Sequence, residues 1–251
     1  MVVSSFLIGA LVALGIQVQA EGYPNTGPIE VLYSTHEIHF PNEILFHLEA
    51  KGSTTITEIS LFYRLADLDI QIYAYPKFNP GYRISAEFAL KTGGQNYIPS
   101  GVGIEYYYLI VDAAGNMLET EPVSMTYIDP RFDWQTLVVG DLKVIWHDVP
   151  EEKVRPVAIQ ADSVLADVKN LFNLDMVSPK KAIIVNNYEE ARTVFPTISQ
   201  TATEKHLFGG FAFTKFDLFV QTGLSLNTMV HESTHLMLKE SMPNRVSQIP
   251  A

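Results

Sequence analysis

His231, Glu232 and His235 stand in the order His-Glu-x-x-His within the segment Thr228-Met-Val-His-Glu-Ser-Thr-His-Leu-Met237. On a helix, residues four apart lie on one face, a single turn from each other. Two imidazoles so placed can bind one zinc ion, and Glu232 can polarise a zinc-bound water. The flanks suit this reading. Ser233 and Thr234 are uncharged, Met237 is apolar, and no proline interrupts Leu226 to Leu238. The competing reading is a core helix that happens to carry two histidines and a glutamate. It is the weaker one, because burying three unpaired ionisable groups is costly. A zinc hydrolase takes three protein ligands, however. Glu240 is the only acidic residue after His235, and at i+5 it points away from the pair.

The elements that must position this helix follow from periodicity. The segment Arg131 to Ala251 reads as strand, long helix, strand, short helix, two strands and the motif helix. Leu137 to Trp146 is strand-like with an interruption at Gly140-Asp141. Glu151 to Leu174 carries Val154, Ala158, Ala161, Leu165 and Val168 at helical spacing. Lys181 to Val185 is a short buried-type strand, and Asn187 precedes a helix over Tyr188 to Val194. Leu207 to Phe213 and Phe216 to Gln221 form a pair joined across Thr214-Lys215, before the motif helix at Leu226 to Glu240. This is an α+β half-domain.

Ahead of it, Pro28 to Ile128 is almost wholly strand-like. Ile29 to Tyr33, His36 to Phe40, Ile44 to Glu49 (closed by Lys51-Gly52) and Thr55 to Arg64 come first. Ile70 to Tyr75, Tyr82 to Leu90, Gly103 to Val111 and Glu119 to Ile128 follow. Asp112-Ala-Ala-Gly-Asn116 is a hairpin signal. Seven or eight strands at this spacing imply an all-β sandwich of the immunoglobulin or fibronectin type. Tyr106-Tyr107-Tyr108 is read as sandwich packing in preference to a sugar-binding platform. His36 and His39 would point to opposite faces of one strand and cannot share an ion. His47, His147 and His206 are read as structural. The expected organisation is thus a signal peptide at 1–20, a β-sandwich at 21–130 and an α+β domain at 131–251.

Phe6 to Ile16 is an apolar run followed by Val18-Gln-Ala20, the pattern of a secretory signal cleaved after Ala20. The alternative is an uncleaved N-terminal membrane anchor. The 251 residues contain no cysteine, so no disulfide framework is available. A net charge of -11 and the absence of a basic stripe argue against a nucleic-acid partner, and such acidity says little about substrate.

The region Arg131 to Ala251 resembles the N-terminal lobe of gluzincin-type metallopeptidases, in particular the peptidase MA-like domains of bacterial secreted proteins. The matching features are an opening strand with a Trp, a long helix, the Gly209-Gly-Phe-Ala-Phe213 strand, a second strand and the Thr228-to-Met237 helix. A leading β-sandwich and a signal peptide accompany several such domains. The resemblance implies Zn2+ as cofactor, His231 and His235 as its ligands, and Glu232 as general base. It also implies that Gly210, Phe211 and Ala212 lie on an edge strand that pairs with an extended peptide. Gluzincins take a third ligand from a glutamate on a following helix, where this chain has Met242-Pro-Asn-Arg-Val-Ser-Gln-Ile-Pro-Ala251. A lobe incomplete at that point is the expectation.

Two functions remain open: a secreted zinc metallopeptidase, or a secreted or surface binding protein whose lobe is degenerate and non-catalytic. A non-peptide zinc hydrolase is a third. On the first reading this polypeptide alone is inactive and a longer version cleaves peptides. Casein hydrolysis with zinc and with a chelator checks this, and robust chelator-sensitive activity from the 251 residues would refute it.

Overall fold

The computed structural model describes residues 27–66, 68, 70–174, 179–196 and 209–241, the side chains of 240 and 241 excepted. The expected signal segment, His206 and the Met242-to-Ala251 segment lie outside them. No helix among the described residues is long and apolar enough to cross a membrane.

Seven strands fill the first part: β1 (Ile29–His39), β2 (Glu43–Leu65), β3 (Gln71–Ala74), β4 (Gly81–Lys91), β5 (Val102–Asp112), β6 (Met117–Glu119) and β7 (Val123–Tyr127). They belong to one hydrogen-bonded sheet, with β2 as its spine. The first half of β2 pairs with β1 and β4, and the second half with β3 and β5. Phe46 and Tyr63 would stand about 55 Å apart on a straight strand. Yet Phe46 packs at 4.8 Å on the ring of Tyr106, which lies directly opposite Tyr63. The strand therefore folds back on itself, and its two halves enclose a core.

The bend explains a departure from expectation. Lys51-Gly52 is not a turn between two strands, but a corner within one strand of 23 residues. A Cβ on Gly52 would fall 2.5 Å from the Thr54 carbonyl oxygen, so only glycine fits there. Even-numbered residues face inward from Ile44 to Ile56 and odd-numbered ones from Ile59 to Leu65. A register shift between Ile56 and Glu58 makes the change. The layers are thus two halves of one sheet, whereas immunoglobulin-type sandwiches use two separate sheets.

The second sheet has five strands in the order β11-β12-β10-β9-β8. They are β8 (Gln135–Val139), β9 (Leu142–Trp146), β10 (Lys180–Val185), β11 (Gly210–Phe213) and β12 (Leu218–Thr222). Helices α1 (Glu151–Phe172), α2 (Tyr188–Val194) and α3 (Leu226–Ser241) accompany them. Strand β10 runs parallel to β9 and β12, and the two outer pairs are antiparallel. Local signals account for the helix ends. Asn187 caps α2, accepting from the Glu190 amide at 3.1 Å. Asn173 closes α1 in the left-handed conformation.

Both faces of this sheet are buried, and alternate residues serve different partners. Leu142, Val144, Trp146, Ala182, Ile184 and Phe219 pack with α1 and α3. Ile145, Ile183, Val185, Leu218 and Val220 join the core of the first sheet instead. The apolar core thus crosses the Asp129-Pro130 boundary read from the sequence. At the crossing, Gly101 has φ +94, and a Cβ there would lie 2.4 Å from Ile183 Cδ1.

Replacing Gly101 by Ala is expected to destabilise the protein by about 2–4 kcal/mol, through backbone strain and overpacking. Gly93→Ala should change little, since that residue has φ -112 and nothing within 4 Å of an added Cβ. Urea unfolding of the two variants checks this.

Candidate metal-binding site

Helix α3 is set in place at both ends. Gly223, with φ +71, turns the chain out of β12, and its amide donates to the Val185 carbonyl at 2.7 Å. Ser225 then caps the helix: its Oγ accepts from the Thr228 amide at 3.2 Å. Near the other end, Lys239 donates to the Thr214 carbonyl and lies 3.5 Å from Asp217. Between these anchors Met229, Leu236 and Met237 enter the core beneath α1 and the sheet. Ser225 was a cap signal legible in the sequence that the periodicity reading passed over.

His231 and His235 project from the opposite, accessible side. Their Nε2 atoms are 3.1 Å apart and their rings meet edge-on at 83°. Two nitrogens each about 2.0–2.1 Å from a tetrahedral zinc would be about 3.3 Å apart. The pair therefore fits two ligand positions of one ion. Burial, and then the charge of His231, lower the His235 pKa, which favours the neutral imidazole that a metal requires. The histidines open on a cleft of about 450 Å³ between α1 and α3. Its wall is apolar at Val164, Leu226, Val230 and Leu238, and polar at Asn227 and Thr234.

Glu232 does not line that cleft. One residue on from His231, it is turned about 100° around the helix, onto the stripe that also carries Met229 and Leu236. It is only 7% exposed. Strand β11 lies against it: a Cβ on Gly210 would be 2.8 Å from Glu232 Cγ and 2.8 Å from Thr228 Cγ2. Glycine at 210 lets the strand backbone come this close. The linear sequence gave no sign of that role beyond the Gly209-Gly210 pair. No described residue donates a hydrogen bond to the Glu232 carboxylate. Burial raises its pKa, and the neighbouring charge of His231 offsets only part of this.

The other expected residues separate as follows. Phe211 and Ala212 lie with Gly210 on β11, which is at the sheet edge and pairs only with β12 among the described strands. His36 reaches the Tyr106 hydroxyl at 3.1 Å, whereas His39 faces Glu37 and Glu43 on the surface. His47 sits between Glu49 and Glu87. His147 is fully buried, hydrogen-bonded to Asp148 and Glu190 and stacked on Phe132 at 4.0 Å.

No protein-family model matches the chain, and no curated protein does. Among solved structures, a catalytically inactive OgpA from Akkermansia muciniphila in complex with an O-glycopeptide substrate matches at 8% identity and a TM-score of 0.32. The match covers 42% of this chain and 30% of that one. Wild-type OgpA matches at 8% identity and a TM-score of 0.31, over 45% of this chain and 31% of that chain. A carbohydrate-binding module family 56 β-1,3-glucan-binding domain matches at 19% identity and a TM-score of 0.26, over 37% of this chain and 95% of that domain. The chain thus spans less than a third of the OgpA chains. Likenesses at this level carry no activity or ligand across.

The resemblance to gluzincin-type, peptidase MA-like domains is accordingly corrected. No family model supports it, the neighbours are the structures just named, and most of the described elements are strands. Among the described residues no three His, Asp or Glu side chains converge to hold a metal. The physical reason is visible on α3: two imidazoles share one face, and Glu232 is turned toward β11. The motif has to be judged on its own chemistry.

The raised pKa of Glu232 gives a stability prediction. Its ionised form is disfavoured by the fold, so stability falls as pH rises from the ordinary carboxyl range through the raised value. In a chelator, Glu232→Gln should therefore melt at a higher temperature than the parent at pH 7. The gain should vanish below about pH 4, where the carboxyl is protonated in both states. Thermal melts across pH measure this, and a Glu232→Gln variant that melts lower at pH 7 would contradict it.

Proposed function

We propose that this chain is a secreted zinc-dependent hydrolase of peptide bonds. The observation that carries the reading is the His231–His235 nitrogen pair, 3.1 Å apart, beside a buried glutamate held against an edge strand. His231 and His235 would hold the ion through Nε2. A third ligand is not found among the described residues. When bound, zinc supplies acidification of a water and polarisation of the scissile carbonyl.

The remaining work falls to side chains and backbone of the chain. Glu232 takes a proton from the attacking water and hands it to the leaving amine. Its raised pKa suits both transfers, because a base poised closer to neutrality also makes a competent acid. Its place beside Gly210 keeps the carboxylate next to the strand on which substrate would lie. Gly210, Phe211 and Ala212 offer an edge to which an extended peptide can add as a further strand, main chain to main chain. The apolar run at Phe6 to Ile16 and the small residues before Glu21 support secretion.

Calorimetric titration of zinc into the chelator-treated protein is expected to give one ion per chain. His231→Ala and His235→Ala should each weaken binding by roughly 100-fold or more, while Glu232→Gln should leave it nearly unchanged. Labelled unfolded casein should bind the zinc-loaded protein, and Phe211→Pro should abolish that binding without altering zinc affinity. Casein binding in a protein that takes up no zinc would favour the other reading, a binding protein with a non-catalytic lobe.

A further inference from the structure

Tyr73 and Tyr75 stand out from the first sheet at 61% and 64% exposure. A monomeric protein rarely leaves a contiguous set of large rings in water without use for them. Here the rings are built into a row. Tyr73 lies opposite Phe62 on β2, and Phe62 lies opposite Tyr107 on β5, so three strands contribute side by side. Phe62 and Tyr107 stack at 5.1 Å and 12°, which backs and steadies Tyr73 at 6.4 Å from Phe62. Tyr75, two residues farther along the chain, adds a ring beside the end of the row, meeting Tyr73 edge-on at 5.8 Å.

The adjacent row is wholly polar. Two residues along the same strands, Gln71, Arg64 and Glu105 lie across from one another. Gln71 donates to the Tyr107 hydroxyl at 2.7 Å, and Arg64 pairs with Glu105 at 2.9 Å. These contacts hold the polar groups upright beside the rings. Because Arg64 and Glu105 neutralise each other, the face selects an uncharged ligand. It still presents donors and acceptors about 7 Å from the rings, the spacing of two residues along a strand.

We infer that this face binds a neutral oligosaccharide. A hexopyranose has one face of weakly positive C–H groups, which meets the negative face of an aromatic ring favourably. Its equatorial hydroxyls radiate from the ring edge, where the Gln71-Arg64-Glu105 row can hydrogen-bond them. The paired exposed rings of Tyr73 and Tyr75 suit two successive sugar units. A protein partner would favour an apolar centre with charges at the rim, and here the polar row is as central as the rings. The inference is independent of the proposed zinc site, whose histidines stand on α3, packed against the second sheet.

The test uses the full chain with cellohexaose, xylohexaose, maltohexaose, laminarihexaose and chitohexaose in turn, by isothermal titration calorimetry. At least one should bind with a Kd at or below about 1 mM. Tyr73→Ala and Tyr75→Ala should each weaken that binding by up to about tenfold, and together should abolish it. Tyr82→Ala, an equally exposed tyrosine on β4 and outside the row, should leave it unchanged. All four variants, the double one included, should melt with the parent, since the rings are exposed. The inference is overturned if no hexasaccharide binds, or if the double variant binds within twofold of the parent. It is equally overturned if sedimentation shows the parent self-associating through this patch and the Tyr73→Ala variant not doing so, which would give the face to a second copy of the chain.

Discussion

The five-stranded sheet is buried on both faces, and everything else is arranged around that constraint. In β9, β10 and β12 successive side chains enter different cores, so these strands must be apolar at nearly every position. Trp146, Ala182, Ile184 and Phe219 meet the helices, while Ile145, Ile183, Val185 and Val220 meet the first sheet. Each face requires its own cover. The bent β2 sheet covers one, and α1 with α3 covers the other. Shifting any central strand by one residue would exchange its two sets of side chains. Helix α3 therefore has one place and one rotation available to it.

That fixed rotation sorts the motif into two environments. The buried stripe of α3 runs through Met229, Glu232 and Leu236, and the histidines lie off it. Glu232 is carried into a dry, close-packed position, where ionisation is opposed. The imidazoles remain accessible, as a metal exchanging with solvent needs. Such a carboxylate weakens the fold at neutral pH, because the buried position disfavours its ionised form. The approach of β11 at Gly210 is part of the same arrangement, because it covers most of the carboxylate, while β11 itself pairs only with β12 among the described strands.

The sequence made much of the second sheet legible, because short apolar strands alternating with helices are punctuated by residues of fixed meaning. Asn187 marked the start of α2, and the 3.6 period over Val154 to Leu165 marked α1. The pairing of β11 with β12 followed from their closeness in the chain. The first sheet was harder. Lys51-Gly52 has the composition of a turn, and only the third dimension shows it as a corner in a continuous strand, imposed by the Thr54 carbonyl. Nor could the joining of the two cores be read, since it rests on the contact of Gly101 with Ile183, 82 positions apart in the numbering. In the site, spacing revealed the histidine pair, whereas the burial of Glu232 depends on Gly210, 22 positions earlier in the numbering. The family resemblance rested on the order of elements and one short motif, and neither fixes a third ligand.

X-ray absorption at the zinc edge of the metal-loaded protein addresses the central claim directly, by counting what surrounds the ion. The account predicts two imidazole nitrogens at about 2.0–2.1 Å with oxygen in the remaining shell. It further predicts that the spectrum is preserved in Glu232→Gln and loses one imidazole in His231→Ala or His235→Ala. A shell without imidazole, or one that changes when Glu232 becomes glutamine, would contradict it.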